Sequence, residues 1–437
     1  MKKMAFAASV LLSLSLLAAC SAGNSSPVNQ TAQGNVTIQY WHTQTEEERV
    51  AKLKELIAAF EAQNKGIHVE QVPVPEENFP SKISAALGAN QLPAIIEAGI
   101  DQMLFLGTEE VSDTAAHEEI IKAIGEDNFY EGALKTVKNP KGEGYYGVPI
   151  SGWVQGIWYN DKLFNEKGLQ PPTTWENILA AAKAFHDPQN QKYGIVVGTS
   201  KDDFTEQTFS QFALSNGAQV FSKDGRVNFN TPEMVETLQF YKELAAYTPP
   251  GAESWREARE MYLSGRAPMV MYSSYILGDL SQNKELAQAT KFAIPEKKSK
   301  ATYGQITSLS IMNTLGDQEK EAAKKFVAFM MQKENNIKFL HMSPGGANPT
   351  LKTVAKDAAY LDNEVLKAFG ETSVAIAAGL ENLQRFGFQD GIVYAQMGDI
   401  SAQYIIGEGI YNITESNASP EEAANTAQEK MEKTAAK

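Results

Sequence analysis

The first part of the chain body alternates between two hydrophobic periods. Segments 36–40 and 67–74 are rich in β-branched residues and predict strands, whereas 46–60 carries an apolar stripe at helical spacing. A second helical segment, 79–89, precedes a short apolar run at 92–96. The order strand, helix, strand, helix, strand predicts an α/β fold with a parallel, doubly wound sheet.

The alternation of strands and helices continues over the rest of the chain. Short apolar runs at 154–159, 193–197 and 269–271 predict further strands, and 319–331 predicts a helix. Three more helices have capping residues at their predicted starts, namely Thr173 with Glu176, Thr231 before Pro232, and Ser419 with Glu422. We expect a second sheet system that begins near Gly152.

Polar and aromatic residues follow two of the predicted strands. Trp41-His42-Thr43-Gln44 comes after the first strand, and Glu97-Ala98-Gly99 comes after the third. Doubly wound sheets bind their ligands at the carboxyl ends of the strands. We therefore expect ligand contacts from this edge of the sheet.

The N-terminus has the pattern of a secretory signal peptide over residues 1–19. Lys2 and Lys3 precede an apolar run that is too short to span a bilayer, and small residues follow it. The sequence Leu-Ala-Ala-Cys that ends at Cys20 resembles the bacterial lipoprotein box. That resemblance implies cleavage before Cys20 and lipidation of its thiol. Residues 20–34 are small and polar, which is typical of a flexible tether.

Length and charge narrow the class of protein. The chain has 437 residues, and its net charge of −14 becomes −16 once Lys2 and Lys3 leave with the signal peptide. A body of about 400 residues predicts two domains, because one hydrophobic core seldom serves so long a chain. This negative net charge argues against nucleic acid or an anionic membrane surface as a partner. Cys20 is the single cysteine, so the mature chain forms no internal disulfide.

Several blocks along the chain resemble one known family. They lie, in order, at 146–149 (YGVP), 157–164 (IWYNDKLF), 168–175 (GLQPPTTW), 215–218 (SNGA), 229–241, 263–270 (LSGRAPMV), 322–327 (AAKKFV) and 419–424 (SPEEAA). These blocks are similar to those of family 1 of the bacterial extracellular solute-binding proteins, which serve carbohydrate importers of the ABC class. The resemblance covers nearly the whole chain after the tether.

The resemblance implies a periplasmic-binding-protein-like fold with two doubly wound α/β lobes, a hinge and a ligand cleft between the lobes. It places the N-terminal lobe at 35–151 and 305–344, and the C-terminal lobe at 152–304 and 345–437. The chain would cross between lobes near 151–154, 303–307 and 344–347, where glycines allow backbone angles to change. Closure around a solute would present both lobes to membrane permeases. The ATPase would lie on another chain, since this one has no phosphate-binding loop.

A sugar site needs aromatic rings for the sugar faces and polar groups for the hydroxyls. We expect such residues on the loops and crossings that face the cleft. The candidates are Trp41, His42, Glu97, Trp153, Tyr272, Ser274, Tyr275, Gln305 and Asn348. Tyr275 stands where many family members carry a sugar-stacking tryptophan.

Arg385 leaves a second class of solute open. Trp41-His42 and Arg385-Phe386-Gly387 resemble the branch of the family that binds glycerol-3-phosphate and its diesters, where an arginine holds the phosphate. The planar guanidinium suits bidentate binding of phosphate. The chain departs from that branch at 201–204 and at 345–349, and Arg385 could equally pair with a surface carboxylate.

A secreted glycosidase and a purely structural lipoprotein are the rival classes. The five histidines have no zinc-binding spacing, no Gly-x-Ser-x-Gly nucleophile motif occurs, and the single cysteine belongs to the lipid box. The chain is therefore interpreted as a binding protein and not an enzyme. We expect no metal, because no calcium-loop motif is present either. We also expect no cofactor and a monomeric chain.

Overall fold

The computed structural model describes residues 35–389 and 392–436. The predicted signal peptide, Cys20 and the tether lie outside the described residues. Within the described ranges, no helix combines the length and the apolar composition that crossing a membrane requires.

The described residues form ten strands, most of which are short. They are β1 (Val36–His42), β2 (Ile67–Pro73), β3 (Ile95–Gly99), β4 (Val148–Asn160), β5 (Met269–Ser273), β6 (Thr290–Ala293), β7 (Gly304–Ile311), β8 (Asn348–Pro349), β9 (Phe388–Gln389) and β10 (Ile392–Val393).

Helices connect the strands and cover the sheet. They are α1 (Glu47–Gln63), α2 (Phe79–Gly88), α3 (Ile100–Thr108), α4 (Thr114–Ile124), α5 (Glu131–Lys135), α6 (Asp161–Lys167), α7 (Trp175–Phe185), α8 (Asp203–Ser215), α9 (Pro232–Ala245), α10 (Trp255–Leu263), α11 (Leu277–Leu280), α12 (Lys284–Ala289), α13 (Asp317–Met330), α14 (Lys333–Leu340), α15 (Lys352–Ala355), α16 (Ala358–Leu361), α17 (Glu364–Lys367), α18 (Glu371–Ala378), α19 (Gln396–Ala402), α20 (Ile405–Thr414) and α21 (Pro420–Ala435). Short 3₁₀ turns occur at Glu76–Asn78, Glu126–Asn128, Pro188–Asn190, Ser274–Ile276 and Gly379–Asn382.

The sheet confirms the predicted parallel, doubly wound start. Strand β1 pairs in parallel with β2 and with β3, while β3 pairs antiparallel with β7. The main path runs β2-β1-β3-β7-β4-β5, and β6 and β8 both pair with β4. Helix α1 packs on this sheet through Leu53, Leu56, Ile57 and Phe60, close to the stripe predicted from the sequence.

Strand β4 belongs to both halves of the sheet. Residues 148–154 pair with β7, and Ser151 and Gly152 also pair with β8. Residues 155–160 pair instead with β5 and β6. The predicted crossings at 151–154 and 303–307 are therefore hydrogen-bonded neighbours, and β8 begins just after the third crossing.

Two hydrophobic cores lie along this sheet. One contains Tyr40, Phe60, Ile95 and Phe326 together with the rest of the β1–β3 layer. The other contains Ile157, Trp175, Phe212, Tyr241 and Met431, which come from β4, α7, α8, α9 and α21. The first core also includes Val154, Trp158 and Val270, so the two cores do not divide where the lobes are predicted to divide. The exact lobe boundaries stay a prediction.

Gly304 shows how closely the crossing strands approach each other. A Cβ atom at this position would lie 2.2 Å from the Trp153 carbonyl oxygen and 2.5 Å from a methyl group of Leu383. Such distances are impossible for a side chain, so the backbone contact between β7 and β4 requires glycine here.

Three local predictions were wrong in detail. Helix α7 is capped by Thr174, whose side chain accepts from the Asn177 N–H, and not by Thr173. Strand β3 begins at Ile95 because Pro93, within the predicted run at 92–96, cannot donate to a ladder. Segment 193–197 forms only a bridge at Val196, since its other backbone groups bond to separate segments.

His117 joins three segments of the first core. It is fully buried on α4, its Nδ1 bonds the Tyr145 carbonyl oxygen at 2.8 Å, and its Nε2 accepts from the Ile311 N–H at 2.7 Å. Burial lowers the pKa of His117 to about 4, so the ring is neutral at pH 7. A neutral ring with Nδ1 protonated satisfies both partners.

We predict that His117→Ala destabilises the protein by about 2–4 kcal/mol, because it leaves a buried carbonyl and a buried N–H without partners and opens a cavity. Urea unfolding followed by circular dichroism at pH 7 measures this change. The matched control is His68→Ala, since His68 is exposed on β2. Equal stability of the two variants would contradict the assigned role.

Candidate functional site

A cavity of about 590 Å³ opens at the carboxyl ends of β1, β2 and β3. The loops that follow these strands line one wall with residues 43–46, 75–77, 98–99 and 101–102. The opposite wall includes Trp153 on β4 and Tyr275 after β5. We call this cavity the first chamber.

A second cavity, of about 550 Å³, adjoins the first at Asp101, which lines both. We call it the second chamber, and the two together the cleft. Its other walls come from α3, α8, β9 and α19, and their side chains include Phe105, Asp203, Glu206, Tyr303, Arg385, Phe388 and Tyr394. The second chamber therefore combines aromatic rings with carboxylates.

Aromatic rings run from the first chamber into the second. The ring centroids of Tyr275 and Trp153 lie 6.2 Å apart, and those of Trp153 and Tyr303 lie 5.8 Å apart. The guanidinium carbon of Arg385 lies 5.4 Å from the Tyr303 centroid and 5.1 Å from the Phe388 centroid. We call Tyr275, Trp153, Tyr303 and Phe388 the aromatic row. Tyr275 is 52% exposed, so part of the row faces open space.

Arg385 stands where the two chambers meet. Its Nη1 lies 3.4 Å from Asp101 Oδ1 and 3.3 Å from Gln305 Oε1. The same Gln305 oxygen accepts from the Ile100 N–H at the start of α3. The Arg385 side chain is only 17% exposed, whereas that of Asp101 is 57% exposed. These contacts hold the guanidinium in place across the cleft.

Glu97 lies behind the first chamber and not in its wall. It is fully buried, and it accepts hydrogen bonds from the Tyr40 hydroxyl and, at 2.9 Å, from Gln44 Nε2. Burial raises the pKa of Glu97. Because Gln44 itself lines the chamber, Glu97 positions a cleft residue through this bond.

Trp41 and His42 are also buried and do not line either chamber. The Trp41 ring packs in the first core with the Lys82 ammonium 4.2 Å from its centroid. His42 Nε2 lies 3.1 Å from Gln71 Oε1, and burial lowers the pKa of His42 to about 4. Both residues still belong to β1, so their side chains point to the faces of the sheet and not over its edge.

Asn348, Ser274 and Tyr272 brace the crossing strands from behind. Asn348 Nδ2 donates to the carbonyl oxygens of Gly152, at 3.1 Å, and Gly345, at 2.8 Å, and to Ser274 Oγ at 3.1 Å. The Tyr272 carbonyl accepts from Trp158 Nε1, and the Tyr272 ring lies 6.1 Å from Phe204. None of the three lines the cleft.

Glu206 carries a carboxylate on the second-chamber wall. Its Oε1 accepts from Ser401 Oγ at 2.7 Å, while Oε2 is buried without a hydrogen-bond partner among the described residues. Burial raises the pKa of Glu206 to about 7, and the nearby Asp203 adds to this while Arg385 opposes it. A buried acceptor without a partner on the wall of a cavity is a position for a hydrogen bond from a solute.

The structure thus brings together four of the ten candidate ligand residues. Trp153, Tyr275 and Gln305 line the first chamber, and Arg385 lines the second. The candidates from the sequence did not include the cleft residues Thr43, Gln44, Asp101, Gln102, Asp203, Glu206, Tyr303, Phe388 and Tyr394. Thr43 and Gln44 follow a predicted strand end directly, so that signal was present. Asp203 and Glu206 carry no such signal, because only the fold places α8 beside the cleft.

Two α/β lobes on a shared strand, with an aromatic and polar cleft, define a protein that encloses a small solute. A family model described as bacterial extracellular solute-binding protein matches residues 44–337. The chain belongs to this family. It is the solute-binding protein of an ABC transporter, and it is extracytoplasmic.

Relatives cover most of the chain. It is 37% identical over 424 residues to YcjN of Escherichia coli, assigned as an ABC transporter periplasmic-binding protein, with 97% of this chain and 96% of the relative covered. It is 26% identical to the multiple sugar-binding protein of Streptococcus mutans, with 75% and 78% covered. The solved sugar-binding protein MalE of Xanthomonas citri matches with a TM-score of 0.75 and 18% identity, over 92% of this chain and 98% of that one.

The family is one of non-enzymatic binding proteins, and this agrees with the absence of catalytic motifs from the sequence. The solved neighbours at 18–23% identity share the fold alone. The predicted family, fold and binding role are therefore confirmed, and the predicted ligand residues stay a prediction.

We predict that Glu206→Gln changes how stability depends on pH. Because folding raises the pKa of Glu206 from 4.5 to about 7, its proton stabilises the fold at pH 4.5 and below, and this stabilisation is lost as the pH rises through 7. When the pH is raised from 5 to 8, the free energy of unfolding of the variant should therefore increase relative to that of the parent by roughly 1–3 kcal/mol.

Urea unfolding at both pH values measures this difference. Glu429→Gln, at an exposed position of α21, is the matched control and should follow the parent at both pH values. Parallel behaviour of Glu206→Gln and the parent would show that the carboxyl group titrates alike in the folded and unfolded chains.

Proposed function

We propose that the protein captures a sugar or an oligosaccharide by closure of the cleft and delivers it to the permeases. We also propose that a lipid on Cys20 anchors it to the cell membrane. The observation that carries the first proposal is the aromatic row, which shares the first chamber with polar side chains from the carboxyl ends of the parallel strands.

The aromatic row and the amides near it match the two kinds of surface that a sugar presents. Aliphatic C–H groups pack on ring faces, while hydroxyl groups need hydrogen-bond partners at the edges. Trp153 and Tyr275 offer the rings, and Gln44, Gln102 and Gln305 offer amides in the same chamber. Glutamine suits a hydroxyl because its side chain both donates and accepts.

The names of related proteins support a carbohydrate. One relative is a multiple sugar-binding protein, and another, from Pyrococcus abyssi, is a maltotriose-binding protein at 24% identity. Solved neighbours include a complex with ribitol, at 23% identity, and a cyclic alpha-maltosyl-1,6-maltose binding protein, at 19%. These names range from a small polyol to oligosaccharides, and the two adjoining chambers suit either size.

Closure needs two bodies and a hinge. We propose that residues 35–151 and 305–344 form one lobe and that 152–304 and 345–437 form the other. In support, β4 changes its partner strands near residue 154, where the pairing passes from β7 to β5 and β6. Bending at such a point moves one half of the sheet against the other without breaking either half.

The alternative solute is glycerol-3-phosphate or a glycerophosphodiester, with Arg385 as the phosphate anchor. The guanidinium does line the cleft. However, it already contacts Asp101, and Asp203 and Glu206 line the same chamber. A phosphate at this position would meet carboxylates as well as the arginine, so the surroundings favour an uncharged solute.

A ligand panel tests the proposed class of solute. We predict that mono- and oligosaccharides raise the melting temperature and that glycerol phosphates do not, because a ligand at a hundredfold excess over its Kd stabilises a protein by about 2.7 kcal/mol. Thermal-shift assays measure this response, and purified protein incubated with the same sugars should release no product. Stabilisation by glycerol phosphates alone would establish the alternative solute.

With the best sugar from that panel, we predict that Trp153→Ala weakens binding by roughly 10–100-fold, since it removes a ring from the aromatic row. Isothermal titration calorimetry measures the Kd. Trp255→Ala is the matched control, because Trp255 is 44% exposed on α10 and does not line the cleft. An equal loss of sugar affinity in the two variants would show that the aromatic row is not the binding surface.

The lipid anchor has its own test. We predict that Cys20→Ser moves the protein from the membrane fraction to the soluble fraction, because stable attachment needs the acyl chains. The sugar affinity of this variant should equal that of the parent, since the cleft lies in the body of the protein. Mass spectrometry of the parent should find the acyl groups on Cys20, and an unmodified thiol there would refute the anchor.

A further inference from the structure

Carboxylates outnumber cationic groups in the cleft. The described residues that line it include Glu46, Glu76, Glu77, Asp101, Asp203 and Glu206. The cationic side chains among the same described lining residues are Arg49 and Arg385. A concave surface lined mainly by one sign of charge concentrates its field in the cavity and disfavours ligands of that sign.

Both guanidinium groups are already paired with protein groups. Arg49 Nη1 lies 3.5 Å from Glu46 Oε2 and 3.1 Å from Gln44 Oε1. Arg385 Nη1 contacts Asp101 and Gln305, and the rings of Tyr303 and Phe388 lie against its guanidinium. Neither arginine therefore offers an unshared positive charge to a solute.

Asp101 is the carboxylate best placed to disfavour an anionic solute. It lies in the first turn of α3, its carboxylate meets Arg385 at 3.4 Å, and it lines both chambers. Arg385 is much less exposed than Asp101, so a solute that approaches the guanidinium also approaches this carboxylate. The charge of Asp101 thus falls where an anionic group of a solute would have to bind.

We propose that Asp101 is a specificity-determining residue that neutralises Arg385 and makes the cleft reject anionic solutes. The inference rests on the proposed sugar-binding function and extends it, because it states which charge of solute the site refuses. Asp203 and Glu206 add to the rejection in the second chamber, whereas hydroxyl groups of a neutral solute can donate to all three carboxylates.

Calorimetric titration of the full protein with inorganic phosphate tests the proposal at pH 8, where Glu206 is mostly ionised. We expect no detectable binding of millimolar phosphate to the parent. Asp101→Asn should bind phosphate at least about tenfold more tightly than the parent does, since removal of the carboxylate leaves Arg385 available. Asp101→Ser serves as a second variant in case the asparagine disturbs α3. Asp127→Asn removes one exposed acidic charge of the same lobe outside the cleft and should behave as the parent.

The double variant Asp101→Asn with Arg385→Gln should lose the phosphate binding again, because the anchor is gone. The proposal is overturned if the parent binds phosphate as tightly as Asp101→Asn. It is also overturned if neither Asp101 variant gains binding, or if the double variant keeps it. The sugar titration of the parent answers separately whether the proposed function holds, so failure of one does not imply failure of the other.

Discussion

The pairing of four strands along β4 is the constraint on which the rest of the structure depends. Strand β4 shares its hydrogen bonds with β7 and β8 at one end and with β5 and β6 at the other. Gly304 lets the backbones of β7 and β4 approach to contact. Because Trp153, Gln305 and Tyr303 lie on these segments, the positions of the main cleft side chains follow from strand pairing and not from loop flexibility.

Much of the fold could be predicted from the sequence because its signals are local. The stripe of α1, the cap at Thr231 and the capping box at Ser419 all depend on residues within one or two turns of each other. Segment 193–197 could not be predicted correctly, because β-favouring residues form a strand only when a partner strand is available along their length.

The site was predictable by region and less so by residue. The strand-end rule selected the correct edge of the sheet, but β1 continues through His42, and only Thr43 and Gln44 lie beyond it. A shift of two residues is enough to exchange a buried side chain for a cavity-lining one. Asp203 and Glu206 reach the cleft through tertiary folding, which no local pattern records, whereas Arg385 could be named because its segment resembles a family motif.

If the cleft closes as proposed, the aromatic row has a kinetic consequence. With the proposed lobe boundaries, Tyr275, Trp153, Tyr303 and Phe388 all belong to the C-terminal lobe, so the stacking surface is complete before the lobes meet. A solute can dock on this preformed surface at a rate limited by encounter, and the second lobe then covers it. Escape requires the covered complex to reopen first. The residence time of the solute is then governed by the hinge, whereas its capture rate is governed by the exposed rings.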